Sequence, residues 1–384
     1  MTISFFSNFL NDHQLPFCEE IINHIGIENF HFVASRQIDQ DRIEMGFENM
    51  NDTKPFVIKA YQDQKSFVMA RRLMLESDVV IIGSSKNMPV KERSLSGKLT
   101  FRYNERILKR GDIHLFNPRL FKYIYDNFTR YKDKNVYTLC ASAYTARDLA
   151  LFGYPKSKCY KWGYFPKIKI YNDINNLIRE KNNYLRHPKE ISILWTGRLI
   201  GLKHPEIAIA LAKILKKEGI SFNLNIIGSG ELSYVLNEMI EKFGLRDCVH
   251  LLGSMSPDKV RDYMEKSQIF LFTSDKKEGW GAVLNEAMNS GCAVVANGLI
   301  GSVPFLIENG KSGLIYKTQK ELYLHVKELI YNPEFRQGMG KAAYLSILTK
   351  WNAKDAVNRL FDTIEALRNS CRVPVYEDGP CSLV

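Results

Sequence analysis

The stretch SDKKEGWGAVLNEAMNSGCAVVA, residues 274–296, sets two glutamates, Glu278 and Glu286, on either side of a Gly-Trp-Gly turn. Residues 268–273 (QIFLFT) read as a buried strand, 282–290 as a helix and 292–296 as the next strand. Gly279 and Gly281 tighten the turn and leave its backbone N–H groups uncovered, while Gly291 stands where a helix C-terminal glycine belongs. Glu278 therefore sits at the mouth of a strand-to-helix turn. The free N–H donors and partial positive charge there favour an anion, yet a carboxylate would repel a bare phosphate. Two carboxylates fit a ligand that carries hydroxyls on both sides of its phosphates. The competing reading is a pair of solvated helix-face charges.

Outward from this stretch the same alternation continues. Strands are expected at 191–197, 222–228 and 248–253, with helices at 205–218, 232–243 and 257–266 between them. The first half gives strands at 2–6, 30–34, 78–82 and 136–139 and helices at 16–25, 64–76 and 143–151. Such alternation implies parallel sheets with helices on both faces, in two Rossmann-like domains. The polar, Asn- and Lys-rich segment 172–190 is expected to link a first domain, 1–171, to a second, 190–350, with a ligand in the cleft between them. A last helix at 353–369, with Val357, Leu360, Phe361, Ile364 and Leu367 on one stripe, is expected to cross back to the first domain and to leave a loose tail, 370–384.

The 384 residues are 45% hydrophobic and 12% aromatic, enough for real cores. No apolar run approaches the eighteen or so residues that span a bilayer, and the N-terminus lacks the basic start and cleavage site of a signal peptide. Seven cysteines without a CxxC pair read as reduced core thiols in a cytoplasm, and as neither disulfides nor zinc ligands. The net charge of +11 is uneven: residues 86–134 hold thirteen Lys or Arg against five acids, and residues 1–50 two against eight. This suggests a surface for an anionic partner, or a solvated face. Nucleic acid is not expected, since no reading motif accompanies the charge.

Three more loops share the setting of the first. TGRLIGLKHP (196–205) puts Arg198 and Lys203 before a helix, where paired cations could neutralise a diphosphate. GSGEL (228–232) supplies Gly228 and Gly230, and LLGSMSP (251–257) supplies Gly253. With E-x7-E and the following Gly-Cys-Ala-Val-Val strand, this order resembles the donor-binding domain of the family 4 retaining glycosyltransferases of the two-domain GT-B fold, over roughly residues 190–345. The resemblance implies that Glu286 binds the ribose of a nucleotide, Arg198 and Lys203 the diphosphate, and Glu278 with the amides of Gly279, Trp280 and Gly281 the transferred sugar and β-phosphate. Gly228, Gly230 and Gly253 would also line the donor site. It further implies a hexosyltransferase that takes a nucleotide-diphosphate sugar, UDP-linked in many members, needs neither metal nor other cofactor, and lets the acceptor attack on the leaving-group face. The acceptor would be a lipid-linked or polysaccharide glycan of cell-surface synthesis. The alternative is a non-catalytic subunit that binds nucleotide sugar and scaffolds a partner enzyme.

The sequence departs from that family at two places. The loop SNFLNDHQLPFCEE (7–20) has no glycine where many members are glycine-rich, and Phe305 stands near a position often acidic. His13 and His114 are the candidates for a histidine that touches the transferred sugar. KLTFRYNERILKRG (98–111), read as a helix, would separate Phe101, Ile107 and Leu108 from Arg102, Arg106, Lys109 and Arg110. That suits an anionic membrane surface or acceptor, with the protein peripheral on the inner face of the cytoplasmic membrane, and core packing with a solvated basic rim is the alternative.

Overall fold

The computed structural model describes residues 1–40, 43, 48–84, 86–109, 111, 117–184 and 190–384. His114 and Arg110 lie outside the described residues. The chain forms two compact units: Met1–Lys167 with Trp351–Val384, and Ile168–Lys350.

The first unit holds seven parallel strands, Ile3–Ser7 (β1), Phe30–Ala34 (β2), Val57–Lys59 (β3), Val79–Ile82 (β4), Thr100–Asn104 (β5), Val136–Cys140 (β6) and Cys159–Lys161 (β7), in the order β3-β2-β1-β4-β5-β6-β7. Its central strands are buried on both faces: Ile3, Phe5, Phe32, Ile81 and Phe101 are wholly buried, as are the polar Ser4 and Thr100. The last helix, Ala353–Arg368, belongs to this unit. It packs on the helix Leu15–Ile25, where His24 stacks on Phe361 with centroids 4.8 Å apart and bonds Asn358 at 3.0 Å.

The second unit holds Ile191–Thr196 (β8), Phe222–Ile227 (β9), Val249–Leu251 (β10), Ile269–Phe272 (β11), Ala293–Asn297 (β12) and Leu314–Tyr316 (β13), all parallel, in the order β10-β9-β8-β11-β12-β13. Both sheets reverse direction beside their first strand, at β1/β4 and at β8/β11. Ligands of open α/β sheets gather at the carboxyl ends of the strands at such a reversal.

Three segments differ from expectation. The described residues of segment 98–111 form no helix: Thr100–Asn104 is β5, and Arg102 and Arg106 are buried instead of forming a basic face. The described part of segment 172–190, up to residue 184, is no linker. Its helix Ile174–Glu180 packs Ile174 and Ile178 against Tyr344, and the Lys181 ammonium is buried, donating to the carbonyls of Met264 at 2.8 Å and Ser267 at 2.7 Å. Asn175, Asn176, Arg179 and Glu180, among the polar residues that suggested a linker, are the solvent side of this helix, and the change of unit falls at 167/168. The tail is not loose either. Cys381 N–H donates to Lys161 O at 2.9 Å, Lys161 N–H to Ser382 O at 2.7 Å, and Leu383 bridges Tyr160 in antiparallel fashion. The tail thus covers the outer edge of β7, which would otherwise present unpaired backbone groups. All seven thiols are free, six buried and Cys371 exposed.

Candidate functional site

In the second unit the loops after β8, β9 and β10 are joined backbone to backbone. Gly197 N–H donates to Ile227 O at 3.0 Å, Leu199 N–H to Ser229 O at 2.8 Å, Leu232 N–H to Leu199 O at 3.0 Å, and Gly228 N–H to Gly253 O at 2.8 Å. The contact is close enough to require glycine. A Cβ on Gly228 (φ +143°) would stand 1.9 Å from Gly197 O, and one on Gly230 (φ +156°) 2.5 Å from Leu199 O. Ser229 and Ser254 close the far end, their hydroxyls 2.7 Å apart.

The loop after β11 is tied to the loop after β8. Asp275 N–H donates to Leu202 O at 2.9 Å. Trp195 Nε1 donates to Thr273 Oγ1 at 2.8 Å, and that hydroxyl in turn lies 2.8 Å from Lys203 O and 3.0 Å from His204 O. His204 adopts a left-handed conformation (φ +50°) just before Pro205, with Nδ1 2.7 Å from Glu206 Oε1 and Nε2 3.5 Å from Asp275 Oδ2. These tethers bring Lys203 and Glu278, 75 residues apart in sequence, into an ion pair whose side chains are 15% and 13% exposed. Arg198 is exposed, with no ion-pair partner among the described residues.

Glu286 is half-buried near the start of the helix Val283–Asn289, and Arg261 fixes that helix by donating from Nη1 to Glu286 O at 3.0 Å and toward Asn289 Oδ1 and Ser290 Oγ, both at 3.1 Å. The Trp280 indole is turned into the core. It is wholly buried, donates to Asn285 Oδ1 at 2.9 Å, and lies 6.4 Å from the Phe305 ring, so it braces the turn from beneath. Phe305 is part of that brace, which gives an aromatic ring a use at this position.

The first unit has its own depression at the β1/β4 reversal, of about 370 Å³ and lined by Asn8, Gln14, Ser84, Asn104, Glu105, Lys109, Tyr123 and Tyr164 among others. The glycine-free loop after β1 thus supplies amide side chains to the pocket. Glu105 accepts from Tyr164 Oη at 2.7 Å and pairs with Lys109. His13 stacks on Tyr164 with centroids 6.4 Å apart.

The remaining basic residues are placed otherwise than the sequence suggested. Arg102 is 5% exposed, lies 5.2 Å over the Phe128 ring and donates to Asn127 Oδ1 at 2.7 Å. Arg106 is 7% exposed, 3.4 Å from Asp148 Oδ2 and 4.7 Å over the Tyr144 ring. Burial pushes the Asp148 carboxyl above the ordinary range, although Leu108 N–H and Arg106 oppose the shift. Neither arginine forms a membrane face. No motif singles out His204, Thr273 or Arg261 in the sequence. The His-Pro step before a helix was the one local hint, since proline constrains the residue before it.

Two parallel-sheet α/β units with their sites at the strand ends define a GT-B protein. Over residues 178–346, within the second unit, the chain matches the family described as glycosyl transferases group 1. A stretch of 128 residues, 32% of this chain, is 36% identical to the amylovoran biosynthesis glycosyltransferase AmsK of Erwinia amylovora. A stretch of the same length is 31% identical to the putative colanic acid biosynthesis glycosyltransferase WcaL of Escherichia coli. The match spans 31% of each of these curated relatives. The fold as a whole resembles that of Anabaena Alr3699/HepE, solved in complex with UDP, with a TM-score of 0.69, 15% identity, and coverage of 95% of this chain and 100% of that one.

Proposed function

We propose that this chain is a retaining hexosyltransferase that moves a sugar from a UDP-sugar to a lipid-linked or polysaccharide acceptor in surface glycan synthesis. The observation that carries the reading is the joining of four strand-end loops, which gathers Arg198, Lys203, Glu278 and Glu286 on one unit. Bond cleavage leaves a nucleoside diphosphate, whose charge grows toward the transition state. Fixed cations and turn amides aimed at that charge accelerate the step without a divalent metal. Glu286 takes the ribose, and Glu278 the hydroxyls of the transferred sugar. HepE supports the choice of nucleotide, having been solved with UDP and with UDP-glucose, and the names of AmsK and WcaL support a surface polysaccharide. UDP should raise the unfolding midpoint of the protein, because a ligand of the folded state alone stabilises it. Arg198→Ala and Lys203→Ala should each lower turnover by roughly 10²-fold, about 3 kcal/mol, with a smaller loss in donor binding. Absence of any UDP shift, or full activity in both variants, removes the reading. An inverted anomer in the product would remove retention alone.

The acceptor falls to the first unit, whose strand-end pocket is rich in amide and phenol hydrogen-bonding groups suited to a polyol. The helix Pro118–Asn127 lends Tyr123 to that pocket and exposes Phe121 (55%) and Tyr125 (46%) beside Arg119 and Lys122. Aromatic rings with flanking cations favour the interface of an anionic bilayer, each cation adding about 1 kcal/mol. This helix takes the membrane role that buried Arg102 and Arg106 cannot. Among the described residues no helix is long and apolar enough to cross a membrane. Vesicles containing phosphatidylglycerol should retain the protein in a salt-sensitive way, and Phe121→Ser with Tyr125→Ser should weaken retention about tenfold. Equal retention on neutral phosphatidylcholine would leave this face merely solvated.

A further inference from the structure

The proposed function assigns Lys203 to phosphate and Glu278 to sugar, yet the structure pairs them with each other. We propose that this pair makes Glu278 the residue by which the site distinguishes an intact nucleotide sugar from the spent nucleoside diphosphate, an inference that rests on the donor binding to this unit.

The argument begins with burial. At 15% and 13% exposure, neither charge can leave the other without a new partner, because an unpaired charge in a poorly solvated site is costly. Glu278 is the only carboxylate within ion-pair distance of Lys203 among the described residues, Asp275 being directed at His204 and Lys277. Arg198, by contrast, is exposed and has no carboxylate to surrender. The two cations therefore answer a diphosphate differently. Arg198 meets it directly, whereas Lys203 turns to it only as Glu278 turns away.

An intact donor supplies both halves of that exchange. Its β-phosphate, esterified to the sugar, carries one charge and takes the ammonium, while the sugar hydroxyls donate to the carboxylate. The free diphosphate supplies one half. Its terminal phosphate ionises a second time near pH 6, so at neutral pH it sets extra negative charge beside Glu278 and offers that carboxylate no hydroxyls. The carboxylate is then left without a donor, or keeps Lys203 from the phosphate. In both cases the product is held less tightly than the donor, and release follows transfer.

Glu278→Gln removes the carboxylate charge and keeps the side-chain shape. Titration calorimetry with UDP and with UDP-glucose as probes should show this variant binding UDP about tenfold more tightly than the wild type, with no gain for UDP-glucose, so that the preference for the sugar nucleotide collapses. Glu278→Ser, smaller and equally neutral, should move the two affinities in the same directions, and Lys203→Met should weaken both ligands. If UDP binds the wild type and the two Glu278 variants equally, the discriminating role is overturned while the donor assignment stands. If UDP binds none of them, the donor assignment falls and this inference falls with it.

Discussion

Arg106→Ala should destabilise the first unit by about 3–5 kcal/mol, the usual cost of removing one partner from a buried ion pair. Arg106 and Asp148 are 7% and 0% exposed, so solvent screening does little to soften the loss. The variant keeps Asp148 in place with Leu108 N–H at 2.9 Å but without its guanidinium. Asp148 already has a folded pKa raised by burial, and removing a cation raises it further. An acid whose folded pKa exceeds its unfolded value contributes stability below the unfolded pKa and loses that contribution as pH rises through the folded one. The deficit of Arg106→Ala should therefore be large at neutral pH and shrink as the solution is made acidic from there. Adding Asp148→Asn should recover part of it at neutral pH. Denaturant unfolding of the three proteins across pH provides the measurement, and a deficit independent of pH in Arg106→Ala would show that the lost interaction is packing on Tyr144 alone.

Gly228→Ala should cost roughly 3 kcal/mol in the second unit, the upper end of what a single strained backbone position stores, and should abolish detectable UDP binding. The added methyl would meet Gly197 O at 1.9 Å, which no side-chain rearrangement can relieve because the obstacle is backbone. The loops after β8 and β9 must separate, and the hydrogen bonds of Gly197 and Leu199 across them separate too. Arg198 and Lys203 stand on the displaced loop. Ser229→Ala, one residue away, loses only a hydroxyl contact with Ser254 and should keep most of its affinity. Normal UDP binding by Gly228→Ala would mean that the β8 loop can shift without disturbing the nucleotide.

The second unit was largely legible in the sequence because β8, β11 and β12 are buried on both faces and read as nearly unbroken apolar runs. The expected strand at 268–273 is Ile269–Phe272, and the helix at 282–290 is Val283–Asn289. The apolar stripe of the last helix was equally plain, with Val357, Leu360 and Ile364 all buried. Reading failed where meaning came from distant partners. Arg102 between aromatic residues imitates a basic helix face, and only Phe128 and Asn127, 25 or so positions on, make it a core residue of a strand. Thr273 and His204 carry no motif, because the groups they join lie about 70 residues away in the chain. The ion pair between Lys203 and Glu278 was hidden for the same reason: each residue was legible, but the fact that they occupy each other was not.

The division of the first unit into two chain segments bears on how the protein is made. The second unit is one continuous stretch, Ile168–Lys350, and can close its sheet as soon as that stretch leaves the ribosome. The first unit is started earlier and finished later. Until Trp351–Val384 has been translated, the helix Leu15–Ile25 has no Ala353–Arg368 to pack against, and the rim of β7 stands open to any passing strand. At ordinary elongation rates of about 5–20 residues per second that interval lasts on the order of ten seconds or more for each nascent chain. Slow codons or stalls between the two segments would lengthen it, so heavy overexpression should fill inclusion bodies with chains whose second unit is already folded.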